Sequence, residues 1–253
     1  MNKNILYIGL IKTLVFAHQP VMDMAPRWSG GYGFQIRYES FKTKHQDKSF
    51  STDHRIYFFE GVYTWDKSKR ITFKLPYYKI ENRRSNSVSR LSEFRELIIG
   101  LPLKKYKNYN HHTQNFGFTP QIKIPINKMD RSSKYKYGSG LSISYSKESF
   151  KYYQLYDIFG WIHQGKVPLF GIDINLGVHP YHNNNNNNGV FIIWDVTGRY
   201  NESHGSILAG PVLVPYRQKV MARLELKFPV IETGIEDHLT KSIFSNLGIG
   251  FVF

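Results

Sequence analysis

The stretch Ile243-Phe-Ser-Asn-Leu-Gly-Ile-Gly-Phe-Val-Phe253 stands last in the sequence and decides the expected fold. Its large apolar residues at 247, 249, 251 and 253 alternate with small or polar ones, which is the period of a strand with one apolar face. Such a strand at the end of a water-soluble chain frays and invites aggregation. A strand that closes a barrel in a bilayer has both edges paired. The stretch therefore predicts the closing strand of a membrane barrel, with the edge strand of a soluble β-sandwich as the alternative.

The same alternation recurs along the rest of the chain. Tyr32 to Tyr38, Ile71 to Tyr77 and Val220 to Phe228 are clear examples, with polar residues between the apolar ones. Counting all such segments predicts about 12 strands, and an even number is typical of bacterial barrels. The less regular segment from Phe150 to His163 is expected to carry a bulge. Prolines at 76, 102, 120, 125, 211, 215 and 229 are expected at strand ends or bulges.

The connections between these segments differ in length in an ordered way. Residues 43–54, 81–90, 127–137 and 231–241 form long polar links, whereas 66–69, 147–149 and 217–218 form short ones. Outer-membrane barrels have long loops outside the cell and short turns in the periplasm. The fold class predicted is therefore all-β, a single antiparallel transmembrane barrel with both termini in the periplasm.

The composition agrees with a barrel. Aromatic residues make up 16% of the 253 residues, with 18 Tyr and 18 Phe, as expected where aromatic girdles face the membrane surfaces. The mean hydropathy of −0.41 does not exclude a membrane protein, because only alternate residues of a transmembrane strand face lipid. Cysteine is absent, which suits an oxidising compartment and excludes disulfide and thiolate chemistry.

The N-terminal residues resemble an export signal. Lys3 precedes a mostly apolar run from Ile5 to Ala17, which predicts a signal peptide over 1–17 and a barrel domain over 18–253. A buried N-terminal strand or helix is the alternative. Phe253 resembles the terminal aromatic residue that the barrel-assembly machinery recognises when outer-membrane barrels are inserted.

The faces of the predicted strands that oppose the apolar faces carry charges. Each charge would cost a few kcal/mol if it faced the middle of the bilayer. Facing inward, the six acids and six bases can pair across a narrow barrel or line a wet channel. We expect a structural ion network, with a selectivity filter as the alternative. The predicted lumen-lining residues are Arg37, Glu39, Glu60, Lys74, Glu96, Lys123, Asp173, Asp195, Arg199, Arg223, Glu225 and Lys227.

The formal charge of +15 raises the question of nucleic-acid binding. The bases are instead scattered over links, for example Lys42, Arg83 and Lys134, without a basic helix or an RNA-binding motif. The expected partners are therefore outer-membrane lipid and lipopolysaccharide, and not nucleic acid.

Signatures of catalysis and of cofactor binding are lacking in the sequence. There is no Gly-x-Ser-x-Gly, phosphate-binding loop or paired-carboxylate pattern, so neither an enzyme nor a cofactor is expected. His18, Met22 and Met24 are a ligand set that suits Cu(I), but such a set arises readily by chance, so no metal site is expected.

Four segments carry a resemblance to a known group of proteins. These are Ala17-His-Gln-Pro-Val-Met-Asp-Met-Ala-Pro-Arg-Trp28, Phe73-Lys-Leu-Pro-Tyr77, Tyr152-Tyr-Gln-Leu-Tyr-Asp157 and His179-Pro-Tyr-His182. They resemble uncharacterised, transporter-like outer-membrane proteins of Gram-negative bacteria that are grouped with the barrels of the phenol meta-cleavage pathway. The resemblance implies a barrel that passes or binds a small molecule, hydrophobic molecules included, and implies no catalytic residues.

The sequence thus predicts a bacterial outer-membrane barrel for passive passage or uptake of a small solute. Two alternatives remain open at this point. One is a structural or adhesive surface barrel whose basic loops contact lipopolysaccharide. The other is a soluble periplasmic β-barrel or sandwich that binds a ligand.

Overall fold

The computed structural model describes residues 31–45, 50–66, 68–84, 87–109, 112–126, 137–149, 151–164, 167–183, 188–202, 204–234 and 239–252. The predicted signal peptide over 1–17, the weak metal candidates His18, Met22 and Met24, and the terminal Phe253 lie outside the described residues. Within the described ranges, no helix is long and apolar enough to cross a bilayer.

Twelve antiparallel strands make up the described structure. Two of them are interrupted: β4 consists of Ser87–Phe94, Glu96–Gly100 and Leu103–Asn108, and β12 consists of Leu239–Lys241 and Phe244–Val252. The other strands are β1 Gly31–His45, β2 Phe50–Asp66, β3 Lys69–Arg84, β5 His112–Pro125, β6 Gly138–Ser149, β7 Tyr152–His163, β8 Leu169–Asn183, β9 Asn188–Asn201, β10 His204–Arg217 and β11 Val220–Gly234.

The sheet closes on itself through its first and last strands. β1 pairs with β2 on one side and with β12 on the other, so that Arg37 lies opposite both Phe58 and Gly248. Every other strand pairs with its neighbours in the chain. Closure leaves no unpaired edge for the bilayer to meet, which is the condition for strands to span it. The predicted 12-stranded antiparallel barrel is confirmed.

The outer face of the barrel is apolar. Ile36, Phe73, Leu224 and Ile249 are between 42% and 46% exposed, in positions that alternate with buried polar residues. Because the buried residues face the interior of a closed barrel, these exposed residues face the surrounding lipid. The alternation read from the sequence is therefore the alternation between lipid and lumen.

Aromatic side chains mark both ends of this outer face on β1–β3. We call the end that carries Gly31 and Val252 the terminal end, and the other the far end. Near the terminal end, the ring centroids of Tyr32 and Tyr63 are 4.8 Å apart. Towards the far end, Tyr38 and Tyr57 have centroids 5.1 Å apart. Two aromatic girdles of this kind are typical of membrane barrels, where the rings lie at headgroup level.

The connections correct part of the sequence-based expectation. The predicted long links at 43–54, 81–90 and 231–241 are mostly strand, and only 46–49, 85–86 and 235–238 separate the strands there. The predicted link at 127–137 lies almost entirely outside the described residues, between the end of β5 at Pro125 and the start of β6 at Gly138. The expectation was wrong because the strands extend beyond the lipid-facing apolar residues, and their extensions carry mostly polar side chains. Hydrophobic alternation does not indicate such extensions, so they were predicted to be links.

Two further expectations are wrong in detail. In the described strand of the segment from 150 to 163, residues 152–163, there is no bulge, since β7 keeps one register against both β6 and β8. Pro76, Pro120, Pro211 and Pro215 lie inside paired strands rather than at ends or bulges. A proline removes one ladder hydrogen bond, and in a closed barrel the bonds on both sides hold the strand in place. Pro229 does lie beside a register shift, at Ile207 and Leu208 of the facing strand.

Candidate functional site in the barrel lumen

The predicted lumen-lining charges all lie on the inner face of the barrel. Each of the twelve is at most 8% exposed. They come from eight strands, so closure of the barrel, and not sequence proximity, brings them together. Whether they govern passage through the lumen stays a prediction.

Eight of them form one continuous group, which we call the lumenal belt. It follows the inner wall from β9 through β12 and β1 to β3, with four acids and four bases. Its members are Asp195, Arg223, Glu225, Lys227, Arg37, Glu39, Glu60 and Lys74.

The centre of the belt lies on β11. Lys227 Nζ is 3.0 Å from Asp195 Oδ1 and 2.8 Å from Glu225 Oε1. It also donates a hydrogen bond to Thr197 Oγ1 at 2.7 Å. Arg223 Nε donates to Glu225 Oε2 at 2.9 Å, and its Nη2 lies 3.4 Å from Asp195 Oδ2. Each buried carboxylate therefore faces two cations, which offsets the cost of removing all four charges from water.

These ion pairs cross the intervening strand β10 at a glycine, where no side chain lies between the two charges. Asp195 lies on β9 and Lys227 on β11, with β10 between them. Neighbouring strands are roughly 4.8 Å apart, so β9 and β11 are separated by about twice that distance. Gly210 of β10 lies opposite Asp195, and a Cβ there would clash with the Leu226 carbonyl. The missing side chain leaves room for the long side chains of β11 to reach the aspartate.

The belt continues across β12 to the first strands. Gly248 lies between Arg37 and Arg223 in register, and Asn246 lies between Glu39 and Glu225. The Asn246 side-chain amide donates to Glu225 Oε2 at 2.8 Å. Placing a glycine between the arginines and an amide between the glutamates keeps like charges apart along each row.

On β1–β3 the belt is held by ion pairs and by one ring. Arg37 contacts Glu39 at 2.9 Å and Glu60 at 3.0 Å. Lys74 Nζ is 3.4 Å from Glu60. Both cations also lie over the Phe58 ring, at 4.5 Å for the Arg37 guanidinium and 4.3 Å for the Lys74 ammonium. Cation–π contacts of this kind gain strength where water is excluded.

The remaining four predicted charges form two smaller clusters. Arg199 binds Asp173 with two hydrogen bonds, at 3.0 and 3.2 Å, and its guanidinium lies 4.2 Å from the Phe159 ring. Glu96 accepts a hydrogen bond from the Tyr78 hydroxyl at 3.0 Å. Lys123 lies 4.0 Å from Glu96.

Three buried charges escaped the sequence analysis, namely Arg70, Lys104 and Asp157. Arg70 lies just before the segment that hydrophobic alternation indicated from Ile71, and Lys104 lies in a part of β4 that the alternation did not indicate. Asp157 lies on β7, where Tyr153, Leu155, Phe159 and Trp161 share its inner face, so no polar alternation marked it. With these three, the buried set holds eight bases and seven acids, which leaves it close to neutral.

The rest of the inner face is uneven. Near the terminal end, an apolar cluster includes Tyr153, Phe191, Val212 and Met221. On β4–β6 part of the inner face is a wall of small residues, Gly100, Gly117, Thr119, Ser142 and Ser144, while Glu96, Lys104 and Lys123 lie elsewhere on the same strands. In a 12-stranded barrel, strands six positions apart face each other, so this small-residue wall lies opposite the centre of the lumenal belt. The described lumen thus has a charged wall facing a small-residue wall.

Metal-ligating side chains do not gather anywhere in the described ranges. No group of three or more His, Cys, Asp or Glu side chains is arranged there to hold an ion. In the described residues, the lumen is therefore lined by ion pairs, hydroxyl groups and apolar side chains.

The closed antiparallel sheet, its apolar outer face and its charged interior define the chain as a β-barrel of the bacterial outer-membrane class. No protein-family model matches the sequence. No curated protein matches it either.

Solved structures share the fold. An outer membrane channel from Pseudomonas putida superposes with a TM-score of 0.68 at 12% sequence identity, covering 89% of this chain and 96% of that one. The β domain of the Bordetella autotransporter BrkA superposes with a TM-score of 0.53 at 11% identity, covering 89% of this chain and 100% of that one. At such identities the likeness establishes the outer-membrane barrel fold alone. The narrower resemblance to the barrels of the phenol meta-cleavage pathway stays a prediction.

Proposed function

We propose that the chain is a passive outer-membrane channel for a small solute, with the lumenal belt forming its constriction. The observation that carries the proposal is the continuous belt of four acids and four bases inside a barrel with a lipid-facing exterior. Ionisable groups at membrane depth are costly and line solute pathways in many membrane proteins. The small-residue wall opposite the belt supplies the space through which a solute can pass.

The lumen favours a particular kind of solute. It combines an apolar cluster near the terminal end with balanced charges further inside. Because the belt is neutral as a whole, it does not select strongly for either sign of ion. A small molecule with an apolar part and a polar or charged group matches both surfaces.

The orientation and maturation of the chain are part of the same proposal. We place the terminal end in the periplasm, so that Phe253 is available to the barrel-assembly machinery. Residues 1–17 act as a signal peptide that is removed, and residues 18–253 form the mature barrel. The surrounding partners are outer-membrane lipid and lipopolysaccharide. No catalytic residue is assigned.

Conductance in a planar bilayer tests the proposal. Heat-dependent mobility on SDS gels first shows that the refolded chain forms a barrel. The double variant Arg223→Ala/Glu225→Ala removes one base and one acid, and leaves Lys227 paired with Asp195. We expect its single-channel conductance to exceed that of the unaltered chain by about twofold or more.

The matched control is Glu202→Ala/Lys219→Ala, which also removes one acid and one base, both from exposed turns outside the lumen. Its conductance should equal that of the unaltered chain. If the unaltered chain and both variants fold but pass neither ions nor small neutral solutes, the channel proposal is wrong and the barrel is structural.

A further inference from the structure

The outer face of β1–β4 towards the far end is arranged in rows across the strands. The first row is aromatic: Tyr38, Tyr57, Tyr77 and Phe94 lie side by side in register. The ring centroids of Tyr77 and Phe94 are 4.8 Å apart. Rings in such a girdle lie at the level where acyl chains give way to headgroups.

The next row outward contains two adjacent cations. Arg55 of β2 pairs in register with Lys79 of β3, and both are exposed. Ser40 and Ser92 flank them on β1 and β4. We call Arg55 and Lys79 the cation pair. Like charges directly opposite each other on neighbouring strands are destabilising, so this placement has a cost in the isolated protein.

No acid of the described chain compensates the cation pair. Among the described residues, Arg55 makes no ion pair or side-chain hydrogen bond. Lys79 Nζ lies 5.4 Å from the Tyr57 ring centroid and 5.9 Å from that of Tyr77. These contacts hold the ammonium group directly above the aromatic row and leave its hydrogen-bond donors for another molecule.

The third row shows that nearby acids are already occupied. Asp53 lies 3.4 Å from Lys42 and 3.6 Å from Arg83. Glu81 lies 2.8 Å from Arg83 and 3.0 Å from Arg90. Hydrogen bonds from the two arginines lower the pKa of Glu81, which therefore stays ionised and paired. Lys42 and Arg90 of this row, together with Arg83 of the next row outward, share the two acids, so these residues add positive charge and do not neutralise the cation pair.

We propose that Arg55 and Lys79 bind a phosphate group of lipid A, the anchor of lipopolysaccharide, on the outside of the barrel. The guanidinium can donate two parallel hydrogen bonds to phosphate oxygens, and the ammonium supplies a second charge. The serines on either side offer hydroxyl donors, while the aromatic row packs against the acyl chains below. The assignment to lipid A rests on the proposed periplasmic position of the terminal end.

The test measures binding of purified lipid A to the full chain, refolded in detergent, by native mass spectrometry. Arg55→Gln/Lys79→Gln is expected to weaken binding about tenfold or more. The control Arg217→Gln/Lys219→Gln removes the same two charge types from exposed positions at the terminal end and should bind as the unaltered chain does. Heat-dependent gel mobility reports folding, and Lys79→Gln alone serves if the double variant does not fold. Raising the salt concentration should weaken binding, because exposed charges are screened.

Three results would overturn the proposal. The first is equal lipid A binding by the cation-pair variant and the unaltered chain. The second is equal loss in the control, which would mean that only net charge matters. The third is equal or tighter binding of phosphatidylglycerol at the same residues, which would assign this end to the other leaflet. None of these results depends on whether the lumen conducts, so failure here is separable from failure of the channel proposal.

Discussion

Replacing Lys227 with methionine should destabilise the barrel strongly. The Lys227 side chain is fully buried, and its ammonium group lies within 3.0 Å of two carboxylates and one hydroxyl. Methionine has a similar length and leaves little cavity, so the change mainly removes the charge. Asp195 and Glu225 would then have to share one cation, Arg223. Removing one partner of a buried ion pair costs about 3–5 kcal/mol, because the remaining charge stays desolvated.

The effect is measured as the free energy of unfolding. The full chain is refolded into detergent micelles or lipid vesicles and unfolded with urea, and tryptophan fluorescence follows the transition. A loss of about 3–5 kcal/mol in the free energy of unfolding raises the unfolding equilibrium constant by roughly two to nearly four orders of magnitude. The control Lys219→Met removes an exposed charge from a turn and should stay within about 0.5 kcal/mol of the unaltered chain.

A second variant distinguishes the cost of leaving a buried charge unpaired from the cost of lost packing. Lys227→Met/Asp195→Asn removes one acid together with the base, so less uncompensated charge is buried. We expect this double variant to be more stable than Lys227→Met alone, with a coupling of about 0.5–3 kcal/mol. The reasoning is refuted if Lys227→Met costs less than about 1 kcal/mol, or if the double variant is less stable than the single one.

Three further predictions follow from local geometry. Gly210→Ala should cost about 1–3 kcal/mol in urea unfolding, because its Cβ meets a carbonyl of β11, whereas Gly160→Ala on the outer face should be nearly neutral. Tyr78→Phe removes a buried hydrogen bond to the Glu96 carboxylate and should lower the free energy of unfolding by about 1.5–3 kcal/mol. The control Tyr77→Phe changes the outward-facing neighbour and should cost little. In the β2–β3 turn, a hydroxyl and backbone amides bond the Asp66 carboxylate and lower its pKa from the ordinary 3.8. The stabilisation from these bonds is present above pH 3.8 and lost as pH falls through the lower folded value. The stability difference between the unaltered chain and Asp66→Ala should therefore shrink in that acid range, and a difference independent of pH would contradict this assignment.

The barrel itself was predictable because lipid and lumen impose opposite chemistry on alternate residues. β1 and β11 show this directly, since Arg37, Glu225 and Lys227 each lie between large apolar residues. The even strand count followed from the same pattern. β7 shows where the pattern fails, because its inner face carries Leu155, Phe159 and other apolar residues, and both faces then look alike in sequence.

The arrangement of the belt was not predictable from the sequence in the same way. Period 2 places Asp195 and Lys227 on the inner face but says nothing about their separation. Their contact depends on closure, on the relative registers of β9, β10 and β11, and on the absence of a side chain at Gly210. Arg70 was missed for a simpler reason: its strand begins two residues earlier than hydrophobic alternation indicated.

The glycine in β10 also has a consequence for how this chain can change in evolution. Two strands that share no backbone hydrogen bond are joined there by their charges, so substitutions at 195 and 227 are not independent of each other. Any replacement at 210 with a side chain separates the two positions and removes the benefit of keeping both charged. In homologous sequences, positions 195 and 227 should therefore covary only where 210 is glycine, and a contact inferred from that covariation would wrongly suggest that β9 and β11 are adjacent strands.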